Sequence, residues 1–147
     1  LLYLGSTVAA REVCEKLRSL RFKALRVEFR GLIPLPSLAR PRYLAAAPTG
    51  RSEAVLAELR DLLISLLGPG ADRYRDFKPH VSVATTREKP SLELVRSVRK
   101  ALKASAHVVE AGLLERVCLM SAVGGSISAV CCVEAERGAQ PSGWLQR

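Results

Sequence analysis

Residues 76–85 run Asp76-Phe77-Lys78-Pro79-His80-Val81-Ser82-Val83-Ala84-Thr85. From Phe77 to Thr85 this stretch reads as a β-strand. In an extended strand alternate residues share a face. Val81 and Val83 are therefore expected to point to the core, with Lys78, His80, Ser82 and Ala84 on the opposite face. Two residues along a strand span about 7 Å between Cα atoms, so the imidazole and the hydroxyl stand side by side and can reach one small ligand. Imidazole gives or takes a proton near neutral pH, the serine hydroxyl can donate to an anionic oxygen, and Lys78 adds positive charge. This set suits a phosphate ester. The plainer reading of the strand pattern by itself is a surface histidine beside a serine on a half-exposed strand.

Working outward, the chain alternates strands and helices before ending in antiparallel strands. Leu1 to Gly5 looks like the end of a buried strand. Thr7 to Leu20 reads as a helix with Val13, Leu17 and Leu20 on one face. Phe22 to Arg30 alternates, with Leu25, Val27 and Phe29 on one side and Arg26, Glu28 and Arg30 on the other. Gly31 to Arg42 holds Pro34, Pro36 and Pro41, each without a ladder donor, and is expected to be a loop. Tyr43 to Ala47 is a short strand. Gly50 to Leu67 is the strongest helix: Val55, Leu59, Leu62 and Leu66 recur at helical spacing, joined by Leu56, Leu63 and Leu67, and Gly68-Pro69-Gly70 stops it. Pro90 to Lys103 is a helix with Pro90 near its first turn and Leu94, Val95, Val98 and Leu102 inward. His107 to Met120 is apolar with a break near Gly112. Gly124-Gly125 turns the chain into a hairpin partner over Ser126 to Glu134. A polar tail begins near Gly138. The order is that of an α+β fold with helices packed on sheet.

With 147 residues, 48% hydrophobic and 25% charged, the chain has ordinary globular composition and one domain's length. The most apolar long run, Ala54 to Leu67, is broken by Glu58, Arg60 and Asp61, which excludes a membrane-spanning helix there. No basic n-region with a cleavage site marks a signal peptide. The net charge is +9, and of 23 basic residues only six are lysine. Such a basic excess favours polyanionic partners, and arginine suits bidentate phosphate contact; arginine-rich coding in a GC-rich or thermophilic genome accounts for it equally. Cys14, Cys118, Cys131 and Cys132 form no Cys-x-x-Cys pair and no zinc pattern with His80 or His107. Cys131 and Cys132 point to opposite faces of one strand, and free, mostly buried thiols in a reducing cytoplasm are expected.

Phe77-Lys78-Pro79-His80-Val81-Ser82-Val83 resembles the second His-x-Thr/Ser motif of the 2H phosphoesterases, in particular the RNA 2′,3′-cyclic phosphodiesterase or 2′-5′ RNA ligase family. Leu1-Leu2-Tyr3-Leu4-Gly5 is similar to the run that follows that family's first His-x-Thr motif. The Pro-rich segment Gly31 to Arg42 and the Val117 to Glu134 hairpin also match in order, so the resemblance spans roughly residues 1 to 135. It implies a bilobal fold, with two antiparallel-rich sheets flanking a central cleft and helices outside. Residues 1–137 would form one domain of two related lobes, with 138–147 as a tail. It also implies metal-independent, cofactor-free catalysis by two histidines: one activates water for attack on the cyclic phosphorus, and the other protonates the leaving ribose oxygen. Carried over, His80 is one half of that pair and Ser82 is the phosphate-binding hydroxyl. Lys78, Arg87, Tyr43 and Arg42 are the candidate substrate-binding residues.

The chain departs from the family pattern in three ways. The first His-x-Thr motif is absent and is expected immediately before Leu1, which is itself not a methionine. Ser82 replaces the commoner threonine, keeping the hydroxyl. The arginine that many relatives place just after the motif is here Thr85-Thr86 before Arg87, a residue that also reads as a solvated charge. His107 lacks a neighbouring hydroxyl and reads as a structural or strand-edge histidine. Tyr74 could stack on a base with Tyr43, Asp76 could orient Lys78 or His80, and Trp144 lies in the tail. The expected activity is opening of a 2′,3′-cyclic phosphate on RNA to a 2′-phosphate by a cytoplasmic monomer, with 2′-5′ ligation as the related reaction. Its rivals are a nucleotide- or RNA-binding 2H-fold domain that has lost the chemistry, and a generic basic RNA-binding module.

Overall fold

A computed structural model describes residues 2, 4, 9–68, 71–72, 77–87 and 89–136. These hold three helices and six strands: α1 (Ala10–Leu17), β1 (Leu25–Ser37), β2 (Arg40–Pro48), α2 (Gly50–Leu67), β3 (Val81–Thr85), α3 (Leu92–Ser105), β4 (Val109–Leu114), β5 (Arg116–Val123) and β6 (Ser126–Glu134). One sheet has the order β3-β2-β1-β4 and the other pairs β5 with β6, a mixed α+β architecture. The expected strand at Leu1–Gly5 and the tail from Gly138 fall largely or wholly outside the described residues.

The chain divides into two compact units. The first is built on residues 26–60 and 75–112 and contains the four-stranded sheet. The segment expected as a proline loop is sheet instead. β1 continues to Ser37, and β2 begins at Arg40 after a tight turn, with Pro34 opposite Leu44 and Pro36 opposite Pro41. Prolines are tolerated here because the ladder shifts register between Leu35 and Pro36, where a missing donor costs little. A second shift lies between Phe29 and Leu32, at Gly31, whose φ is 60°. Its amide donates to the Val108 carbonyl at 2.9 Å, and a Cβ there would sit 3.3 Å from the Ser105 carbonyl oxygen. Only glycine meets both demands at low cost.

The start of α2 is tied to β1 through buried Ser52, 4% exposed, whose hydroxyl oxygen accepts the Glu28 N–H at 2.8 Å. Thr49 N–H donates to the Glu28 carbonyl, and the Thr49 carbonyl receives the Glu53 N–H. The buried face of α2 draws on both sets of leucines that the spacing picked out. Leu56, Leu59 and Leu63 are buried, whereas Leu62 is 44% exposed. Several apolar stripes compete on this leucine-rich helix, and packing selects among them. Helix α3 begins later than expected: Ser91 caps it by accepting the Leu94 N–H at 3.1 Å, which places Pro90 before the cap.

The second unit comprises residues 2–25, 61–74 and 113 onward. Helix α1 packs on the β5–β6 hairpin and buries Val13, Cys14 and Leu17. Leu20, Phe22 and Val117 are buried in the same unit. The hairpin turns at Gly124 and Gly125, both with positive φ. The four cysteines are not free thiols as expected. Cys14 is joined to Cys131, and Cys118 to Cys132. Adjacent positions on β6 do face opposite ways: one sulfur meets α1 and the other meets Cys118, which the hairpin register sets directly opposite Cys132. Sequence spacing could not supply these pairings, because neither the α1–hairpin packing nor the hairpin register is visible in it.

Candidate active site

Strand β3 carries Ser82, begins directly after His80 and lies at the edge of the four-stranded sheet. All five of its residues are exposed, including Val81 at 51% and Val83 at 60%, so the expectation that these valines enter the core is not met. The register gives the reason. Tyr43 pairs with Thr85, Leu44 with Ala84, Ala45 with Ser82 and Ala46 with Val81, leaving Val83 without a partner. This one-residue bulge breaks the alternation. Directly opposed residues share a face, so Tyr43, Ala45, Ser82 and Thr85 all lie on one side of the sheet and Val81 lies on the other. An unbulged strand would have put Thr85 and Ser82 on opposite sides.

His80 immediately precedes β3 and is exposed. Its Nδ1 lies 2.7 Å from the Lys78 carbonyl oxygen. A carbonyl can only accept, so Nδ1 carries the hydrogen and the neutral ring presents the Nε2 lone pair to solvent. In this state Nε2 can take a proton, and after doing so it can return one. Phe77, at the start of the segment, lies under the Arg60 guanidinium of α2 at 5.0 Å, which helps hold the approach to His80.

At the other end of β3 the chain forms a groove of ≈ 720 Å³. Arg40, Arg42 and Tyr43 of β2 line one side, and Thr86, Arg87 and Lys89 beyond β3 line the other. Thr86 secures this wall: its amide donates to the Arg42 carbonyl at 2.9 Å and its hydroxyl donates to the Pro41 carbonyl. Of the expected substrate-binding residues, Arg42, Tyr43 and Arg87 thus converge in one place, whereas Lys78 stands with His80 at the opposite end of the strand. Arg40, Thr86 and Lys89 escaped the sequence reading. A basic residue near the end of each of two segments was their only signal, and their union depends on the β2–β3 register. His107 is exposed in the turn between α3 and β4. Tyr74, Asp76 and Trp144 lie outside the described residues.

Among the described residues, no three His, Cys, Asp or Glu side chains gather as a metal-ligating group, and no helix is long and apolar enough to cross a membrane. No protein-family model matches the chain, and no curated protein matches it. Its fold is similar to the crystal structure of TT0787 from Thermus thermophilus, with a TM-score of 0.56 and 19% identity over 89% of this chain and 73% of that one. At that identity the likeness concerns the fold alone.

Proposed function

We propose that the protein is an RNA 2′,3′-cyclic phosphodiesterase of the 2H phosphoesterase type, opening a terminal cyclic phosphate to a 2′-phosphomonoester. The observation that carries this reading is the exposed His80 ring, whose Nδ1 lies 2.7 Å from the Lys78 carbonyl oxygen, two residues before Ser82 of the exposed edge strand β3. In the reaction a water oxygen attacks phosphorus, the bond from phosphorus to the 3′-oxygen breaks, and that oxygen takes a proton. His80 Nε2 serves as one of the two proton-transfer groups, removing the water proton or protonating the 3′-oxygen. The Ser82 hydroxyl and the Lys78 ammonium steady the phosphate oxygens as charge develops. The mechanism that the family resemblance implies pairs His80 with a second histidine. Arg42, Tyr43 and Arg87 bind substrate. The bilobal 2H architecture, monomeric action, 2′-5′ ligation and a cytoplasmic setting belong to the same proposal. The two disulfides then require a cell interior that preserves them, as in hyperthermophilic organisms.

A second reading, a nucleotide- or RNA-binding domain without catalysis, is favoured by one observation: Arg40, Arg42, Arg87 and Lys89 gather with Tyr43 in a groove that His80 does not line. The deciding experiment incubates the full-length protein with an oligonucleotide ending in a 2′,3′-cyclic phosphate and maps the product. The phosphodiesterase produces a 2′-phosphate with a bell-shaped pH–rate profile. Binding without turnover selects the second reading.

A further inference from the structure

The two disulfides of the second unit differ in their surroundings. Directly opposed residues of a hairpin share a face, and successive residues alternate. Arg116, Cys118, Met120 and Ala122 of β5 therefore lie on one face with Glu134, Cys132, Ala129 and Ile127 of β6. Val117, Leu119, Cys131 and Val133 lie on the other. That second face meets α1: half-buried Cys131 is bonded to Cys14, and Cys14 and Val117 are buried. The first face is open, with Cys132 exposed, Cys118 half-buried, and Met120 and Ile127 exposed beyond them. From this placement we infer that Cys118–Cys132 is a thiol-exchange site, opened by an external dithiol and re-closed by a disulfide while the protein stays folded. Cys14–Cys131 is inert to the same reagents until the protein opens.

Exchange begins when a thiolate attacks a disulfide sulfur, so its rate depends on access to that sulfur. A thiolate of the dithiol attacks Sγ of Cys132, the more exposed of the pair. A sulfur–sulfur bond forms to Cys132 while the Cys118–Cys132 bond breaks, and Cys118 leaves as a thiolate that takes a proton from water. The second thiolate of the reagent then attacks the reagent sulfur of the mixed disulfide. Cys132 leaves and is protonated, the reagent departs as a disulfide, and two electrons have passed to the protein. Arg116 and Glu134 on the same face are paired with each other at 3.1 Å, so together they add no net charge to attract or repel an anionic thiolate.

The fold survives the break for two reasons. The β5–β6 ladder runs from Arg116 opposite Glu134 to Val123 opposite Ser126, on both sides of the bond. The Cys14–Cys131 link still ties the hairpin to α1. The freed thiols stay directly opposed, with Cβ atoms about 5 Å apart, placed to re-close. Misrouting is blocked by the strand itself. Cys132 follows Cys131 in the chain, but the two project from opposite faces of β6, so a Cys132 thiolate reaches the Cys14–Cys131 sulfurs only if the backbone moves.

The test treats the full-length protein with dithiothreitol under native conditions, blocks free thiols with iodoacetamide at intervals and maps the labelled cysteines by peptide mass spectrometry. Cys118 and Cys132 should label together, about tenfold or more faster than Cys14 and Cys131, because the second bond waits on local opening. Far-UV circular dichroism should stay native while only Cys118 and Cys132 are labelled. Replacing dithiothreitol by oxidised glutathione at that stage, before any alkylation, should restore the Cys118–Cys132 pair. In the Cys118→Ala/Cys132→Ala variant the Cys14–Cys131 bond should keep its slow rate. Four free thiols in the untreated protein overturn the assignment. So do reduction of Cys14–Cys131 as early as Cys118–Cys132, reduction of Cys118–Cys132 only in denaturant, or a Cys131–Cys132 pair after re-oxidation.

Discussion

Removing each disulfide in turn should destabilise the protein by different and calculable amounts. Cys14 and Cys131 are 117 residues apart, whereas Cys118 and Cys132 are 14 apart. In the chain-entropy description a cross-link restricts the unfolded chain in proportion to the logarithm of the loop it closes. That gives about 5 kcal/mol for the long loop and about 3 kcal/mol for the short one. Cys14 is buried on α1 and Cys131 belongs to β6, so the long link also anchors helix to hairpin. For a chain of this size each kcal/mol moves the melting temperature by about 3 °C. The Cys14→Ala/Cys131→Ala variant should therefore melt about 15 °C below wild type, and Cys118→Ala/Cys132→Ala about 9 °C below. Far-UV circular dichroism melts of both variants, with and without dithiothreitol, read these shifts. Reductant should lower the wild-type midpoint and have less left to remove in each variant. The reasoning is refuted if the short-loop variant is the less stable of the two, or if reductant leaves the wild type unmoved.

Other outcomes follow from single side chains. His80→Ala should reduce cyclic phosphodiester hydrolysis about 10²- to 10⁴-fold, the usual contribution of a positioned acid–base group; unchanged activity removes His80 from the mechanism. Nitrogen-15 NMR of the neutral His80 ring should find the hydrogen on Nδ1, as the contact with the Lys78 carbonyl requires. Ser82→Thr should retain activity because the hydroxyl is kept, while Ser82→Ala should lose it in kcat; equal rates for the two would deny the hydroxyl a role. Ser52→Ala should cost about 1–3 kcal/mol in denaturant unfolding, because the part-buried Glu28 N–H loses its acceptor.

Where local pattern and tertiary packing agree, the sequence was sufficient. The alternation of strands and helices, the ends of α2, the Gly124-Gly125 turn and the inward face of α1 all depend on residues close in the chain. Their determinants are side-chain periodicity and backbone freedom, both of which operate over a few residues.

Tertiary structure decided whatever depends on which segments meet. A proline-rich stretch became strand because β2 lay beside it with a register shift to absorb Pro36. Val81 and Val83 stayed exposed because β3 takes the sheet edge and bulges at Val83. The cysteines paired because α1 packs on a hairpin whose register opposes Cys118 and Cys132. The cationic groove assembled because Thr86 binds its segment to the start of β2. Residue types name the chemistry a chain can perform, but register and packing set which side chains share a face, since a slip of one residue reverses every side chain on a strand.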